Sequence, residues 1–393
     1  MPYNKKSLAL VFGGHVNGYS IVRELSKDSS INIGLIAHER CIGMFSNNLR
    51  ERKIVERNSL SLKIALEELR EIYGTIVIFP TSDAHIVLLN EIYDEICDFC
   101  FLPFEKNKTI RLSNKRVQYD ICQELDLPIP KTKYIKANNE LNTVLDMFKP
   151  PFIVKPILRK DQTKELFRNV IISSEKDKLE HTGLFKESLD QGIELVVSEI
   201  VPGDDTNIFA YTCYVDKSGS IKSEWVGKKL TQYPNNFGVV SSASSEFNEV
   251  VLEQGRSLVI AMDTYGIIEP EFRYDPLEKK YKLMEVNLRS MMWHGVGACS
   301  GVNLHLDLFY DVTNKPLSER VQDVKCKDEI HWVLMLHEIS NVLTRPGYFK
   351  HFKYNVFGGK KRCWAIYSRS DIKPFLYSIY LLCRRISRIC LKR

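Results

Sequence analysis

Short hydrophobic runs alternate with amphipathic stretches through the first hundred residues of the chain. Continuous apolar runs, which predict strands buried on both faces, occupy Leu8–Phe12, 31–37 and 75–79. Between them apolar residues recur at helical spacing, which predicts helices at about 19–27, 60–71 and 84–96. Strands and helices in alternation predict an α/β domain with a doubly wound parallel sheet, whose ligands gather at the carboxyl ends of the strands.

The pattern changes beyond residue 112, where antiparallel hairpins become the better description. Asn114 can cap a helix that runs to Leu125. Strand-like segments follow at 152–156, 195–201, 208–215, 221–226, 271–274 and 281–286. Hairpins of this kind predict α+β subdomains after the parallel-sheet domain. An amphipathic pattern from Lys373 onward predicts a helix at the C-terminus.

The composition is that of a globular protein. With 44% hydrophobic and 26% charged residues over 393 positions, it excludes a disordered, collagenous or disulfide-scaffold chain and suits two or three packed subdomains. No apolar run reaches the length of a transmembrane helix, and the first run ends in Gly13-Gly14 instead of a cleavage site. We therefore expect a cytoplasmic protein whose ten cysteines are free thiols.

The formal charge of +6 is concentrated at the C-terminus. Residues 360–393 hold ten basic residues and one acid, so this segment carries +9 and residues 1–359 sum to −3. A basic amphipathic helix is typical of a membrane-surface anchor that faces anionic lipid. The alternative is a helix that docks on the body or on a partner subunit. The rest of the chain is net acidic and contains no known nucleic-acid-binding motif, which argues against nucleic acid as a partner.

Two acidic residues stand on neighbouring predicted strands, and polar residues follow the second one at every other position. Strand alternation puts Glu285, Asn287 and Arg289 on one face, with Glu271 opposite them on the partner strand. Two carboxylates and an amide oxygen form the hard oxygen site that Mg²⁺ prefers, and Arg289 can neutralise a phosphate. The alternative is a solvated strand face with salt bridges, although the apolar residues between them indicate a packed strand.

Two lysines come earlier in the chain than these acidic and polar residues. Lys155 lies in an apolar strand before a proline, and a buried lysine is costly unless it is paired or contacts an anion. Lys115 follows the predicted helix cap. The alternative for both is a surface lysine whose stem lies along apolar neighbours. Glu199 ends another apolar strand.

These pieces occur in an order that resembles the ATP-grasp superfamily over well over half the chain. The ordered set is Asn114-Lys115, Phe152-Ile-Val-Lys155-Pro156, Ser198-Glu199-Ile-Val-Pro-Gly203-Asp204, Glu271 and Glu285-Val-Asn287-Leu-Arg289. Phe79-Pro-Thr-Ser-Asp83 and the stretch 227–234 resemble one branch, which holds carboxylate–amine ligases such as D-aspartate ligase and proteins of surface-polysaccharide biosynthesis. The sequence patterns and the resemblance together imply a parallel-sheet domain at 1–112, a small ATP-grasp subdomain at 113–197, a large subdomain with the metal site at 198–320, an extension at 321–359 and the basic tail at 360–393.

The resemblance also implies ATP and Mg²⁺ as cofactors. The implied nucleotide contacts are Lys115 and Lys155 at the phosphates, Glu199, Ile200 and Val201 at the adenine, and Asp204 or Asp205 at the ribose or in the next loop. The implied Mg²⁺ ligands are Glu271, Glu285 and Asn287, and Arg289 would stabilise the transferring phosphoryl group. The segment 157–164 departs from the family because it has no glycine, and its basic residues Arg159, Lys160 and Lys164 would cover the phosphates instead.

Candidate substrate contacts are His15 and Asp83 at the edge of the parallel sheet, and Arg273. Lys228, or its neighbour Lys229, and His294 are candidates for a catalytic role beside the reacting carboxylate. The alternative for His294 is a structural histidine in a glycine-flanked turn. Gly13 and Gly14 lie at the same edge of the parallel sheet, either as part of a ligand site or as a tight turn without a ligand.

The resemblance implies a cytoplasmic, ADP-forming carboxylate–amine ligase that makes an amide through an acyl phosphate. Its substrates would be an amine or amino acid and a small-molecule or lipid-linked carboxylate of a cell-envelope glycan precursor, and the tail would hold the enzyme at the inner membrane face. Two alternatives stay open: a soluble amino-acid ligase similar to D-aspartate ligase, and a nucleotide-binding regulatory protein without turnover. The sequence leaves the oligomeric state open.

Overall fold

A computed structural model gives the fold of the chain. It describes residues 6–157, 166–167, 169–235, 238–315, 320–321 and 329–390, with the backbone alone at 320–321 and 385–390. Some predictions therefore lie outside the described residues or side chains, namely those for Arg159, Lys160, Lys164, Arg385, Arg388, Lys392 and Arg393.

Strands and helices alternate along much of the chain. In chain order, the strands are β1 (Leu8–Phe12), β2 (Asn32–Ala37), β3 (Glu51–Ile54), β4 (Ile76–Pro80), β5 (Cys100–Phe101), β6 (Thr132–Ile135), β7 (Phe152–Ile157), β8 (Val170–Ile172), β9 (Glu194–Glu199), β10 (Ile208–Val215), β11 (Ile221–Tyr233), β12 (Val239–Ser244), β13 (Gly266–Asp275), β14 (Lys280–Asn287), β15 (Arg320–Val321), β16 (Ile330–Val333) and β17 (Lys361–Trp364). The helices are α1 (Val16–Leu25), α2 (Ser59–Ile72), α3 (Asp83–Glu91), α4 (Tyr93–Ile96), α5 (Lys108–Leu112), α6 (Lys115–Glu124), α7 (Asn138–Leu145), α8 (Glu175–Asp190), α9 (Glu249–Met262), α10 (Gly295–Cys299), α11 (Leu304–Val312), α12 (Met335–Thr344), α13 (Phe349–Phe357) and α14 (Lys373–Cys390). Short 3₁₀ turns lie at Ile42–Phe45 and Asp205–Asn207.

The chain forms two compact units, each assembled from separate stretches of sequence. Unit 1 contains Met1–Asp126, Asp204–Phe272 and Glu285–Arg393. Unit 2 contains Leu127–Gly203 and Arg273–Met284. The strands β13 and β14 therefore each contribute residues to both units.

Unit 1 begins with a five-stranded parallel sheet in the order β3-β2-β1-β4-β5. Alternate residues of β1 enter two different cores. Leu8 and Leu10 pack with side chains of α2 and α3, whereas Ala9 and Val11 join the core that contains Trp225. Burial on both faces explains the continuous apolar runs and confirms the predicted doubly wound α/β domain.

The second sheet of unit 1 has the order β14-β13-β10-β11-β12-β16-β17, with β15 beside β11. The pair β10–β11 is antiparallel, as the hairpin pattern predicts, and β12 adds a further antiparallel strand that the pattern does not predict. The strands β16 and β17 pair in parallel. They come from the extension and from the start of the basic tail, where the sequence pattern predicts no strand. This sheet carries the acidic residues predicted to bind metal.

Unit 2 contains a four-stranded antiparallel sheet in the order β6-β9-β7-β8. Its core includes Phe152, Phe185 and Leu195, and the helices α7 and α8 contribute Leu141 and Leu189 to it. Helices on an antiparallel sheet are the α+β arrangement predicted for this part of the chain.

Some element boundaries differ from the predictions. The helix predicted at 84–96 is two helices, α3 and α4, because the helical backbone is interrupted at Ile92. The first helix begins at Val16, directly after the Gly13-Gly14-His15 turn. The strand β3 was not predicted because it has no apolar run. Its side chains alternate between half-buried and exposed.

The prediction of free thiols is wrong for one pair. Cys299 and Cys363 form a disulfide with their Cα atoms 6.6 Å apart. They are 64 residues apart in the sequence, and only the approach of α10 to β17 brings them together. A sequence pattern contains no sign of that approach.

A helix begins at Lys373, as the pattern predicts, and its first turns lie against unit 1. The Tyr377 ring stacks on Phe45 with ring centroids 3.9 Å apart, and Leu381 packs against the main core. Asp371, just before the helix, is buried and accepts hydrogen bonds from Ser46 Oγ at 2.5 Å and Asn47 N at 2.9 Å. Docking on the body, one of the two alternatives for the tail, therefore describes its first half. Among the described helices, none is both long and apolar enough to cross a bilayer.

Candidate functional site

One face of β13 and β14 collects three carboxylates and an amide within unit 1. Glu269 and Glu271 lie two residues apart on β13, so both point to the same side of the sheet. Glu285 and Asn287 do the same on the neighbouring β14, and Asn287 Nδ2 lies 3.3 Å from Glu269 Oε1. We call these four residues the acidic row. It contains all three predicted metal ligands and adds Glu269.

Lys115 faces the row from the first turn of α6. Its Nζ lies 3.2 Å from Glu285 Oε2. The Asn114 side chain caps the helix, as predicted, by accepting a backbone hydrogen bond at 2.9 Å. One turn later, the Gln118 side chain makes two hydrogen bonds with the backbone of Val286, at 2.9 and 3.0 Å. The start of α6 is thus fixed to β14, which holds Lys115 beside Glu285.

Lys229 of β11 is buried in the row and forms an ion pair with Glu271. Burial acts to lower the pKa of Lys229, but the three carboxylates around it outweigh burial and raise the pKa. Burial raises the pKa of Glu269 to about 8 and also raises that of Glu271, because one lysine does not compensate several buried acids. For Glu285, burial is outweighed by Lys115 and Lys229, and its pKa is lowered. The buried part of the row therefore has more acid groups than amines.

The acidic row fits a divalent cation. Glu271, Glu285 and Asn287 offer carboxylate and amide oxygens, the hard donors that Mg²⁺ takes in proteins. A cation bound here would favour the ionised forms of Glu269 and Glu271, whose pKa values burial raises. Because Glu271 and Asn287 are buried, a solvated strand face is a poor description of this surface.

Arg289 follows the row and forms a bidentate ion pair with Asp83. Its Nε lies 2.8 Å from Asp83 Oδ1, and its Nη2 lies 2.9 Å from Asp83 Oδ2. Asp83 is the first residue of α3, whose cap residue Ser82 accepts a hydrogen bond from the His85 N–H. The structure therefore brings together a predicted catalytic residue and a predicted substrate contact, and these two side chains bind each other.

His294 is buried and contacts the row through Glu269. Its Nε2 lies 2.6 Å from Glu269 Oε2, and its Nδ1 accepts a hydrogen bond from the Met291 N–H at 3.3 Å. Burial lowers the pKa of His294 well below its ordinary value, so the ring is neutral at pH 7. With Nδ1 as an acceptor, the proton sits on Nε2, which donates to Glu269. The predicted catalytic role of His294 stays a prediction.

Lys228 and Lys229 point to different surroundings. Lys228 Nζ lies 2.9 Å from the Glu246 carboxylate and 5.3 Å from the centroid of the Phe209 ring. Neither group belongs to the acidic row. Of the two lysines that the sequence offers for the site, the one in contact with the row is Lys229.

A cavity of ≈ 630 Å³ opens at the carboxyl ends of the parallel strands of unit 1. The strand order reverses there, with β2 on one side of β1 and β4 on the other, which is the usual ligand position in such sheets. His15 lines the cavity with His38 and His85, and the residues on both sides of Asp83 do too. Burial, with help from His38, lowers the pKa of His85 to about 4. The predicted substrate contacts His15 and Asp83 thus lie at or beside one cavity.

The chain is similar to several known proteins. No protein-family model matches the chain. A D-aspartate ligase of Enterococcus faecium (strain Aus0004) is 24% identical over 280 residues, which are 68% of this chain and 66% of that protein. The match thus spans just under two thirds of the relative's length.

Three solved structures are similar to the chain, each at 14% identity. An N5-carboxyaminoimidazole ribonucleotide synthetase in complex with ADP has a TM-score of 0.62, and the match covers 86% of this chain and 84% of that one. A biotin carboxylase–beta-gamma-ATP complex from Campylobacter jejuni has a TM-score of 0.61 with 80% and 72% covered, and an N5-carboxyaminoimidazole synthetase from Staphylococcus aureus has 0.59 with 81% and 81%. The chain has the ATP-grasp fold. The resemblance seen in the sequence is therefore confirmed for the fold.

Several residues that the ATP-grasp resemblance assigns to the nucleotide belong to unit 2. Lys155 is half-buried on β7. The Glu199 carboxylate accepts a hydrogen bond from the Lys131 N–H at 2.9 Å and pairs with Lys282 at 2.7 Å. Its side chain is thus engaged within unit 2. The adenine contact predicted for the backbone of residues 199–201 stays a prediction, as does the substrate contact of Arg273, which donates to the Gly203 carbonyl.

Asp204 and Asp205 both shape the start of β10 in unit 1. Asp204 accepts a hydrogen bond from the Thr206 N–H at 2.9 Å and caps the 3₁₀ turn. Asp205 is buried and accepts one from the Gln232 N–H at 3.0 Å. Of the two roles that the sequence leaves open for this pair, these contacts support the shaping of the loop.

Glu269 is the residue of the row that sequence reasoning misses. It lies two positions before Glu271, so the alternation that groups Glu285 with Asn287 would have grouped these two acids as well. Lys229 enters the sequence prediction only as an alternative to Lys228.

Proposed function

We propose that the chain is an ATP-dependent, ADP-forming ligase that joins a carboxylate to an amine. The observation that carries the proposal is the acidic row with Lys115, Lys229 and Arg289 around it on an ATP-grasp fold. The ligase relative supports the reaction class, and the solved relatives with ADP and with an ATP compound support the nucleotide. Lys155, residues 199–201 and one of Asp204 and Asp205 are proposed nucleotide contacts on the resemblance alone.

The proposed reaction has two steps. An oxygen of the substrate carboxylate attacks the γ-phosphorus of ATP, the bond to the β–γ bridging oxygen breaks, and ADP leaves. The amine nitrogen then attacks the acyl carbon of the acyl phosphate, phosphate leaves, and the nitrogen loses a proton to solvent. Positioning and charge stabilisation are enough for this chemistry, since the acyl phosphate is itself reactive.

Several residues in and beside the row have a proposed part in these two steps. Glu271, Glu285 and Asn287 hold Mg²⁺, which when bound spreads the charge of the phosphate oxygens. Arg289 stabilises the phosphoryl oxygens during transfer, and its two hydrogen bonds to the Asp83 carboxylate hold the guanidinium in one orientation. Lys115, fixed by α6, adds a positive charge at the Glu285 end of the row.

The substrates are proposed at two levels of detail. An amino acid as one substrate is supported by the name of the D-aspartate ligase relative. A carboxylate of a cell-envelope glycan precursor, free or lipid-linked, is the narrower proposal and rests on the sequence resemblance. The cavity lined by His15 is the proposed entry for one of them. An amino-acid ligase similar to D-aspartate ligase and a regulatory nucleotide-binding protein are the alternatives.

Phosphate release from ATP tests the reaction. It is measured with a panel of carboxylates and amines that includes D-aspartate, L-aspartate and uronic acids. We expect substrate-dependent release, and we expect Glu285→Gln to lower it by about 100-fold because the site loses an anionic oxygen donor. Absence of substrate-dependent release across the panel would favour the regulatory alternative.

A matched variant controls for loss of a buried carboxylate. Glu224, on the same sheet but outside the row, bonds to Arg256 and Tyr211. Glu224→Gln is expected to retain phosphate release. Equal activity of the Glu285 variant and the wild-type protein would contradict the metal assignment.

The location is proposed to be cytoplasmic, with peripheral contact to an anionic membrane through α14. The outward side of this helix exposes Leu376, Ile379 and Tyr380 next to the basic residues Lys373 and Arg384. Apolar side chains flanked by positive charge are typical of helices that lie in a membrane interface.

A further inference from the structure

The Asn287 amide has two chemically different ends, and the acidic row must present the right one. A metal ion binds the amide oxygen, whereas the amide nitrogen carries two hydrogens and repels a cation. In the structure, Asn287 Nδ2 lies 3.3 Å from Glu269 Oε1. Glu269 Oε1 is the acceptor in this contact, and a cation bound beside it would favour the ionised form of Glu269, which only accepts. Glu269 therefore binds the nitrogen end and turns the oxygen end away from itself.

His294 fixes Glu269 from the other side. Its Nε2–H donates to Glu269 Oε2 at 2.6 Å, while its Nδ1 takes the Met291 N–H. Glu269 and His294 are 0% and 2% exposed, so solvent does not compete for these hydrogen bonds. Each oxygen of Glu269 thus has one donor, and the carboxylate is locked between His294 and Asn287.

We propose that Glu269 is a positioning residue that holds the Asn287 amide with its oxygen toward the metal site, and that His294 holds Glu269 in place. The inference rests on the proposed function, since it assumes that Asn287 binds a cation. Outer partners that orient a ligand in this way commonly change metal affinity by about 10–100-fold when they are removed.

Binding of Mn²⁺ in the presence of ADP, measured by electron paramagnetic resonance or calorimetry, tests the inference apart from turnover. Glu269→Gln is expected to weaken Mn²⁺ binding by about 10–100-fold. The new amide would keep an oxygen acceptor toward His294, but its NH₂ group would face the NH₂ group of Asn287 and favour an inverted Asn287 amide. Asn287→Asp alone is expected to weaken binding too, because it sets two carboxylates against each other.

The double variant Glu269→Gln/Asn287→Asp provides the decisive comparison. In it the new glutamine amide donates to the new carboxylate and still accepts from His294, so the polarity of the contact is reversed and its complementarity restored. We expect Mn²⁺ affinity within a few-fold of the wild type, by analogy with other coupled neighbours. A merely structural role for Glu269 predicts no such rescue.

The outcomes separate this inference from the proposed function. If Glu285→Gln loses Mn²⁺ binding but Glu269→Gln does not, the metal site stands and the positioning role is overturned. If the double variant binds no better than the single ones, the positioning role is overturned as well. If Glu285→Gln binds Mn²⁺ as tightly as the wild type, the metal assignment itself fails. Glu224→Gln also weakens the ion pair of a buried carboxylate but lies outside the row, so it should bind Mn²⁺ as the wild type does even with a lowered thermal midpoint, and it controls for loss of stability.

Discussion

Among the residues that the structure describes, Lys229 is the one buried amine in contact with the carboxylates of the acidic row. It forms an ion pair with Glu271. Removing one member of a buried pair leaves the other charge without compensation, which typically costs about 3–5 kcal/mol. We therefore expect Lys229→Met to lower the free energy of unfolding at pH 8 by about this amount, measured by urea denaturation.

The cost of Lys229→Met depends on pH. In the variant the folded-state pKa of Glu271 lies above its unfolded value, because burial raises it and no lysine opposes the rise. A carboxyl with a raised folded-state pKa stabilises the fold below the unfolded pKa and loses that contribution as pH rises through the folded pKa. The deficit relative to the wild type should thus be smaller at pH 5 than at pH 8. The double variant Lys229→Met/Glu271→Gln should recover most of it, and a pH-independent deficit without recovery would contradict the pairing.

Single positions show where local pattern stops being informative. The grouping of Glu285 with Asn287 was predictable because neighbours two apart on a strand share a face. The choice between Lys228 and Lys229 was not, because neighbours on a strand point to opposite faces and the sequence does not show which face of β11 is turned toward the row. The bond between Glu269 and His294 joins residues 25 apart and depends on how the chain turns after β14.

The helices α12 and α13 are tied to the second sheet through one buried carboxylate. Glu338, in α12, accepts hydrogen bonds on one oxygen from the hydroxyls of Thr231, Ser241 and Ser242 at 2.7–3.0 Å. Its other oxygen accepts from Tyr348 at 2.8 Å and Asn355 at 3.2 Å. All the donors are neutral, and Glu338 is fully buried.

Glu338→Gln is expected to destabilise the protein. The new NH₂ group would face donors where the native side chain offers only acceptors, and a buried polar group without a partner costs about 1–3 kcal/mol. A fall in the thermal midpoint of several degrees is the expected readout. Glu253→Gln, an exposed change on α9, should leave the midpoint unaltered, and an equally unaltered Glu338 variant would contradict the role of this network.

Helices and strands were predictable where the residues that determine them are close together in the sequence. The strands β1 and β4 are continuous apolar runs, and β10 and the first part of β11 form a hairpin around a short turn, so sequence pattern found them. The parallel pair β16–β17 has members about thirty residues apart with helices between them, and its pairing depends on the finished sheet. The disulfide between Cys299 and Cys363 was not predictable for the same reason, since its two residues are 64 positions apart in the sequence.

Across the whole chain, the excess positive charge lies in a segment that is only partly separate from the body. Phe375, Tyr377 and Leu381 of α14 pack against the main core of unit 1. Deleting the segment would therefore remove core contacts along with the charge. Substitutions on the outward side of α14 are the cleaner way to examine it.

We expect the wild-type protein to co-sediment with vesicles that contain about one-third phosphatidylglycerol and much less with neutral phosphatidylcholine vesicles. Leu376→Ser/Ile379→Ser should weaken binding to the anionic vesicles by at least about tenfold, because apolar area no longer enters the interface. The pair Leu60→Ser/Ile64→Ser on α2, which is at least as exposed, serves as the matched control. Unchanged binding of the α14 variant, or equal loss in the control, would contradict membrane contact through this helix.

The chain passes from one unit to the other four times, and this has a practical consequence for making either unit alone. Lys282 lies in the second stretch of unit 2 and pairs with Glu199 of the first stretch at 2.7 Å and with Asp275 at 2.9 Å. A protein made from residues 127–203 alone would lack Lys282, so Glu199 would lose this ion pair. It would also lack the turn between β13 and β14. A recombinant unit 2 must therefore contain both stretches, Leu127–Gly203 and Arg273–Met284, joined by a linker.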